Sequence, residues 1–337
     1  MKVLLLSGIF AQTPEYRATH MAETPDSLLA DGLLEAGVDV TTAGPSFRGD
    51  WSAYDVVHLN HLTNACLRAI LPNHGTRGRT KIVFTHHASG WKPWRFRLVR
   101  NLIEWRSDSV VVFTEDERRR LGGRVPDRKV DTIFYGLAVD RFTLTRRTRP
   151  APGEPLELLY VGQLVEFKRV HLAIQLLRRV IDSGQPARLR IVSHRETLRP
   201  ELEALARELG VSDYVEYLGT RTRDEIGPEM AKSHFLVLPS YREGLSTVTS
   251  EAAICGLPTL MFDVSGSEDQ VPDAWERPDS DDVERWYELA LDRIAHYEDS
   301  EAAWVENAPV VRDRLSITRM VEKHIELYTS LVRGDRD

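Results

Sequence analysis

The sequence predicts an α/β protein built as two parallel-sheet domains. Three observations carry this. The chain has 337 residues, more than one hydrophobic core ordinarily serves. Short apolar runs alternate with helical stretches, the pattern of parallel α/β layers. Between Thr143 and Pro155 this alternation stops, in a stretch holding Arg146, Arg147, Pro150, Pro152, Gly153 and Pro155. Such a stretch suits neither a helix nor a central strand and reads as a linker.

In the first half, strands are expected at Val3–Ser7, Val38–Thr41, Val56–Leu59, Ile82–Thr85, Val110–Phe113 and Val130–Ile133. Helices are expected at 24–36, 62–71, 93–106 and 115–121, with Ser7–Arg17 as a loop. The alternation restarts with a strand at Leu156–Val161 and a helix at His171–Ser183, closed by Gly184. A strand at Arg188–Val192 and a helix at Pro200–Leu209, closed by Gly210, come next. Val215–Leu218, a helix near 222–232, Phe235–Leu238, a helix from Thr249 to Cys255 and the strand Thr259–Phe262 complete the second half. The tail has Ser316 as an N-cap and apolar residues at Ile317, Met320, Val321, Ile325, Tyr328 and Leu331, which suits a helix packed on one face. Two Rossmann-like halves are therefore expected, with a ligand outside the carboxyl ends of their strands.

Composition bounds the function. Apolar content of 42% and charged content of 28% are those of a globular protein. Cys66 and Cys255 form no paired or Cys/His motif, so neither a disulfide framework nor a metal site is expected. No run approaches the roughly 18 apolar residues of a membrane span, and the short apolar start reads as a buried strand rather than a signal peptide. A cytoplasmic protein is expected. The net charge is −7, yet residues 91–150 hold 15 Lys/Arg against 8 Asp/Glu. This asymmetry points away from nucleic acid and toward one local anionic partner.

The most informative segment is Glu243-Gly-Leu-Ser-Thr-Val-Thr-Ser-Glu251, at a strand-to-helix junction. Gly244 allows close backbone approach, and the first amides of a helix favour an anion. Carboxylates that accept from hydroxyls, beside amides that donate to phosphate, describe a site for a sugar nucleotide.

The run Phe235–Pro258 resembles the donor-site signature of retaining GT-B glycosyltransferases, the group 1 or family 4 type marked by two Glu separated by seven residues. Leu159-Tyr-Val-Gly-Gln-Leu-Val-Glu-Phe-Lys168 is similar to that family's Gly-Arg-x4-Lys loop, and Tyr135–Phe142 to its Gly-Val-Asp-x-x-Phe element. The resemblance is strong over 156–270 and looser over 1–142. It implies a GT-B fold, with domains at 1–148 and 149–315 facing each other across a cleft and helix 316–334 packing back on the first. It implies a metal-independent hexosyltransferase with no cofactor beyond its nucleotide-sugar co-substrate, acting on an acceptor the sequence does not identify. The alternatives are a GT-B epimerase or phosphorylase-like enzyme, or a non-catalytic sugar-nucleotide-binding protein.

Residue by residue, the resemblance implies that Glu251 accepts from the ribose, that Glu243 contacts the donor sugar, and that Lys168 neutralises the leaving diphosphate. Gly162, Gln163, Arg195, Gly244, Leu245 and Ser246 complete the expected donor site. Gln163 departs from the family, which has Arg there; glutamine supplies no charge and no fork to a phosphate. Arg169 and Arg242 are the candidates to compensate. His86, at a strand end, matches a family His near the donor sugar. Gly8, His58, His61 and His87 are candidate acceptor contacts. The four histidines fit no metal-binding spacing. In Trp91–Arg106, Trp91, Trp94, Leu98, Leu102 and Trp105 recur at helical spacing among Lys92, Arg95, Arg97, Arg100 and Arg106. This suits either an apolar stripe packed on the sheet or peripheral contact with an anionic inner membrane face.

Overall fold

The computed structural model describes residues 1–21, 23–61, 66, 80–86 and 94–335, and only the backbone of 18–20 and 94–97. The chain divides into two compact units, Met1–Leu137 with the segment from Arg314 onward, and Ala138–Asp313.

The first unit holds β1 (Lys2–Leu6), β2 (Asp39–Ala43), β3 (Val56–Asn60), β4 (Lys81–Thr85), β5 (Ser109–Val112) and β6 (Val130–Thr132). They form one parallel sheet in the order β2-β1-β3-β4-β5-β6. Nearly every residue of β1, β3 and β5 is buried, as continuous apolar strands covered on both faces require. Alternation along β1 divides the core. Leu4 and Leu6 join one cluster with Trp51 and Phe84, while Val3 and Leu5 join another with Leu33 and Tyr328. Among the described residues before the linker, this unit has the helices α1 (Pro14–His20), α2 (Pro25–Glu35), α3 (Trp94–Arg106) and α4 (Glu115–Leu121).

The second unit holds β7 (Leu156–Val161), β8 (Ala187–Val192), β9 (Val215–Gly219), β10 (Phe235–Leu238) and β11 (Thr259–Met261), parallel in the order β11-β10-β7-β8-β9. Its helices are α5 (Val170–Asp182), α6 (Arg199–Glu208), α7 (Arg223–Ala231), α8 (Thr247–Ile254), α9 (Val283–Ala295) and α10 (Tyr297–Arg314). The last helix, α11 (Ile317–Arg333), belongs to the first unit. Ser316 caps it by accepting from Arg319 N (3.0 Å). It lies on α2, where a Cβ at Gly32 would collide with Val321. Both sheets are therefore Rossmann-like, the GT-B class that the sequence predicts.

Several expectations shift. Thr143–Pro155 holds neither helix nor strand, but the division falls at 137/138 rather than at 148, because the linker's start packs on the second unit. There Thr145 N donates to Cys255 O (3.1 Å), and the Arg147 guanidinium donates to the carbonyls of Cys255, Gly256 and Met230. The segment Ser7–Arg17 is not a loop. Gly8–Ala11 forms a 3-10 turn, and Thr13 with Pro14 starts α1. Helices α9 and α10 lie in a stretch for which no element is expected. The expected helix at 62–71 lies outside the described residues, apart from Cys66. In α3, Leu98, Leu102 and Trp105 are exposed and Ile103 and Glu104 are buried. The predicted stripe thus faces outward over this part of the helix, and its neighbouring face packs on the sheet. No described helix is long and apolar enough to cross a membrane.

Each sheet has one place where the chain reverses its direction of strand addition, between β1 and β3 in the first unit and between β7 and β10 in the second. Loops leave the carboxyl ends of those two strands in opposite directions, which opens a crevice for a ligand.

Candidate functional site

At the β7/β10 reversal lies a cavity of about 560 Å³. Its floor begins at Gly162, directly after β7. The Tyr160 hydroxyl donates to Gln163 O (2.8 Å), and a Cβ on Gly162 would lie 2.8 Å from that hydroxyl oxygen. Glycine is what lets the chain turn here beneath a buried phenol.

The next turn, Glu166–Lys168, brings Lys168 to the wall. Lys168 Nζ donates to Glu243 Oε1 at 2.6 Å, with side-chain exposures of 15% and 10%. Two residues for which the resemblance implies separate roles are thus paired with each other. An incoming diphosphate would compete with Glu243 for the lysine.

The opposite wall is the start of α8. Ser246 caps it, its Oγ accepting from Thr249 N (3.3 Å), while Gln270 Nε2 donates to Ser246 O (2.6 Å). Thr247 and Val248, in the first turn, line the cavity together with Leu245 and Ser246. Glu251, buried within α8, completes this wall. The cavity therefore presents two carboxylates, an ammonium and a helix N-terminus, a set able to take hydroxyls and phosphate together.

Other expectations need correction. Arg195 is exposed and does not line the cavity; its backbone serves the loop instead, Leu164 N donating to Arg195 O (2.8 Å). Its neighbour His194 lines the cavity, with Nε2 3.3 Å from Gln163 Nε2. Gly244 is exposed, and nothing lies near where its Cβ would stand. Arg169 does not replace the missing loop arginine. It adopts a left-handed conformation (φ 47°) and donates to Pro239 O (2.9 Å) and Ser280 O (2.6 Å), with its guanidinium 4.3 Å from the Phe262 ring centroid. Burial pushes its pKa down. Arg242 is exposed beside Phe167 and does not line the cavity. The arginines that do are Arg221 and Arg223, following β9, which the sequence reading missed. Their signal was an Arg-x-Arg pair that begins two positions after the end of β9.

In the first unit, His58 is no surface contact. It is fully buried, with Nδ1 2.6 Å from Tyr328 Oη and Nε2 2.6 Å from Thr85 Oγ1, and it ties β3 and β4 to α11. His86 is also buried, its Nδ1 2.7 Å from the carboxylate of fully buried Glu104. Gly8 is exposed at the start of its 3-10 turn. His61 is half-exposed and lies 3.3 Å from Asp26. His87 lies outside the described residues.

Known proteins resemble this chain in sequence and in fold. Residues 142–309 match the family described as glycosyl transferases group 1. Among curated relatives, a D-inositol 3-phosphate glycosyltransferase of Corynebacterium urealyticum is 26% identical over 258 residues, 71% of this chain and 61% of the relative. One of Nocardia farcinica is 32% identical over 184 residues, 50% of this chain and 40% of the relative. The chain thus spans less than two thirds of the length of these relatives. Among solved structures, a sucrose-phosphate synthase of Thermosynechococcus elongatus has a TM-score of 0.72 at 16% identity, covering 99% of this chain and 100% of the other. HepE of Anabaena, solved in complex with UDP, has a TM-score of 0.71 at 18% identity, with 98% and 100% covered. Through residues 142–309, with the Glu243–Glu251 pair inside them, the chain belongs to the group 1 glycosyltransferase family.

Proposed function

We propose that the protein transfers a hexosyl group from a nucleoside-diphosphate sugar to an acceptor hydroxyl, with retained anomeric configuration and without a metal. The observation that carries this is one cavity lined by Lys168, Glu243, Glu251 and the first turn of α8. In the reaction, the bond from the sugar's C1 to the diphosphate oxygen breaks and a bond from C1 to the acceptor oxygen forms. The acceptor proton passes to the departing phosphate oxygen on the same face, so no second carboxylate nucleophile is needed. Lys168 and the α8 amides meet the charge that builds on the leaving group. Glu243 holds a sugar hydroxyl and Glu251 the ribose. Arg221 and Arg223 supply positive charge to a cavity that has Gln163 where relatives carry arginine.

The UDP bound to HepE makes UDP the first nucleotide to test, and the names of the curated relatives make a polyol phosphate the first acceptor. The test is a thermal-shift series with UDP, GDP, ADP and dTDP and their glucose conjugates. Nucleotide release is then followed with D-inositol 3-phosphate and simple polyols as acceptors. One nucleoside diphosphate should raise the melting temperature and its sugar should be turned over; stabilisation by none overturns the reading.

We further propose that α3 meets an anionic membrane surface. Leu98, Leu102 and Trp105 are 59%, 41% and 58% exposed on a helix rich in arginine. Cosedimentation with phosphatidylglycerol vesicles, lost in Leu98→Ser/Trp105→Ser, tests this; equal binding to phosphatidylcholine contradicts it.

A further inference from the structure

The turn that follows β11 delivers one buried amide side chain to the start of α8. Gly266, left-handed at φ 77°, opens a 3-10 turn over Ser267–Asp269, and Gln270 closes it, its N donating to Ser267 O (3.1 Å). The Gln270 side chain is fully buried. Its Nε2 donates to Ser246 O (2.6 Å) and to Ser250 Oγ (2.5 Å). Ser246 O also accepts from Ser250 N and Ser250 Oγ, each at 3.1 Å. The carbonyl of the residue that caps α8 is thus held by three donors, one of them brought from another segment.

This network is more polar than packing needs. Gln270 Oε1 is buried without a hydrogen-bond partner, which costs stability. An apolar side chain of the same length would remove that cost and strand no other group. Ser246 O would keep both bonds from Ser250, and Ser250 Oγ would keep its bond to Ser246 O. A polar tie that weakens the fold is expected where it fixes a functional geometry. What this tie fixes lines the cavity, where Ser246 and Val248 both stand. Ser246 Oγ accepts from Thr249 N (3.3 Å) and from Thr249 Oγ1 (3.0 Å), so neither bond uses the serine's own hydroxyl proton.

We propose that Gln270 is a positioning residue for the diphosphate of the donor. Holding the Ser246 carbonyl from the buried side, it sets the Ser246 hydroxyl and the first-turn amide of Val248 at the cavity wall. There they donate to phosphate oxygens. Gln270 itself touches no ligand and acts through Ser246. This rests on the transferase reading above, which supplies the diphosphate.

The test is Gln270→Met in the full chain, which keeps the side-chain length and removes both amide atoms. Urea unfolding should give a midpoint equal to or above that of wild type. Exchange of the Thr249 and Ser250 amides, both bonded to Ser246, should quicken by about tenfold in the absence of nucleotide. In calorimetry with UDP, GDP, ADP and dTDP, the nucleotide that wild type binds should bind the variant about three- to tenfold more weakly. Unchanged exchange at Thr249 and Ser250 overturns the proposal, whether or not any nucleotide binds. Undiminished affinity overturns it too, since the tie would then serve the fold alone. A lower midpoint, or failure to fold, assigns Gln270 to packing and has the same force. Silence of the wild type toward all four nucleotides is instead the failure of the donor reading, and the exchange measurement still shows whether Gln270 sets α8.

Discussion

The two units share a topology and differ in what stands at the reversal of each sheet. At β7/β10 the chain places Lys168, Glu243, Glu251 and the α8 amides around one cavity, with Arg221 and Arg223 on its wall. At β1/β3 it places Ser7, Asp26 and His61, linked through the Asp26 carboxylate without a guanidinium or ammonium among them. The crevice comes from strand order, while the ligand class comes from the side chains at its mouth. Fixed cations and helix amides suit a diphosphate. The same contrast appears in how the histidines and arginines are used. His58 and Arg169, each close to a reversal, are consumed by internal bonds, so proximity to the crevice alone does not make a site residue.

The largest expected effect falls on the charged reversal. Lys168→Ala should lower the transfer rate by about 10²–10³-fold, because it removes the cation proposed to meet the leaving group and leaves Glu243, only 10% exposed, without this partner. Single-turnover kinetics check this, and an effect confined to KM would assign the lysine to ground-state binding. Next, Glu251→Ala should weaken nucleoside diphosphate binding by about 10–100-fold, the loss of a charged acceptor's hydrogen bonds, as read by calorimetry. Gly162→Ala tests the floor rather than the charge. Its Cβ meets the Tyr160 hydroxyl, so the protein should lose about 1–3 kcal/mol in denaturant unfolding and bind nucleotide less well.

The smallest effect belongs to the first unit. His324 of α11 lies with its ring centroid 5.6 Å from that of His58, and burial pushes its pKa down to about 4. The folded state therefore keeps it neutral while the unfolded chain protonates near 6.5. Its contribution is complete above about pH 6.5 and is lost as pH falls toward 4. Burial lowers His171 and His234 of the second unit as well, which adds slope of the same sign. His324→Gln should flatten the pH 4–6.5 limb of the unfolding curve without abolishing it. An unchanged limb would assign the slope to the second unit.

Much of the fold was legible because its strands are short apolar runs bounded by breakers. Leu156–Val161 and Phe235–Leu238 match their predicted bounds. Helix α10 was not legible: it mixes polar and apolar residues without a clear face and carries Pro309 inside. The spacing of Leu98, Leu102 and Trp105 identified a helix face, but periodicity does not say whether that face meets the sheet or the solvent. The site was legible where chemistry is local, as in Glu243–Glu251, which sit together on one loop and helix. Pairings across long separations were not. The bond from Lys168 to Glu243 spans 75 positions and arises from the β7–β10 neighbourhood. Likewise His58 and His61 differ by three positions, yet one lies within β3 and is sealed while the other follows it and is presented.

The most direct test of the central claim is calorimetric titration of a nucleoside diphosphate into the wild-type chain, Lys168→Ala and Glu251→Ala. The account predicts saturable binding to wild type by one of UDP, GDP, ADP or dTDP, weakened at least tenfold in both variants. Wild-type binding that neither substitution alters, or no binding by any of the four, would contradict it.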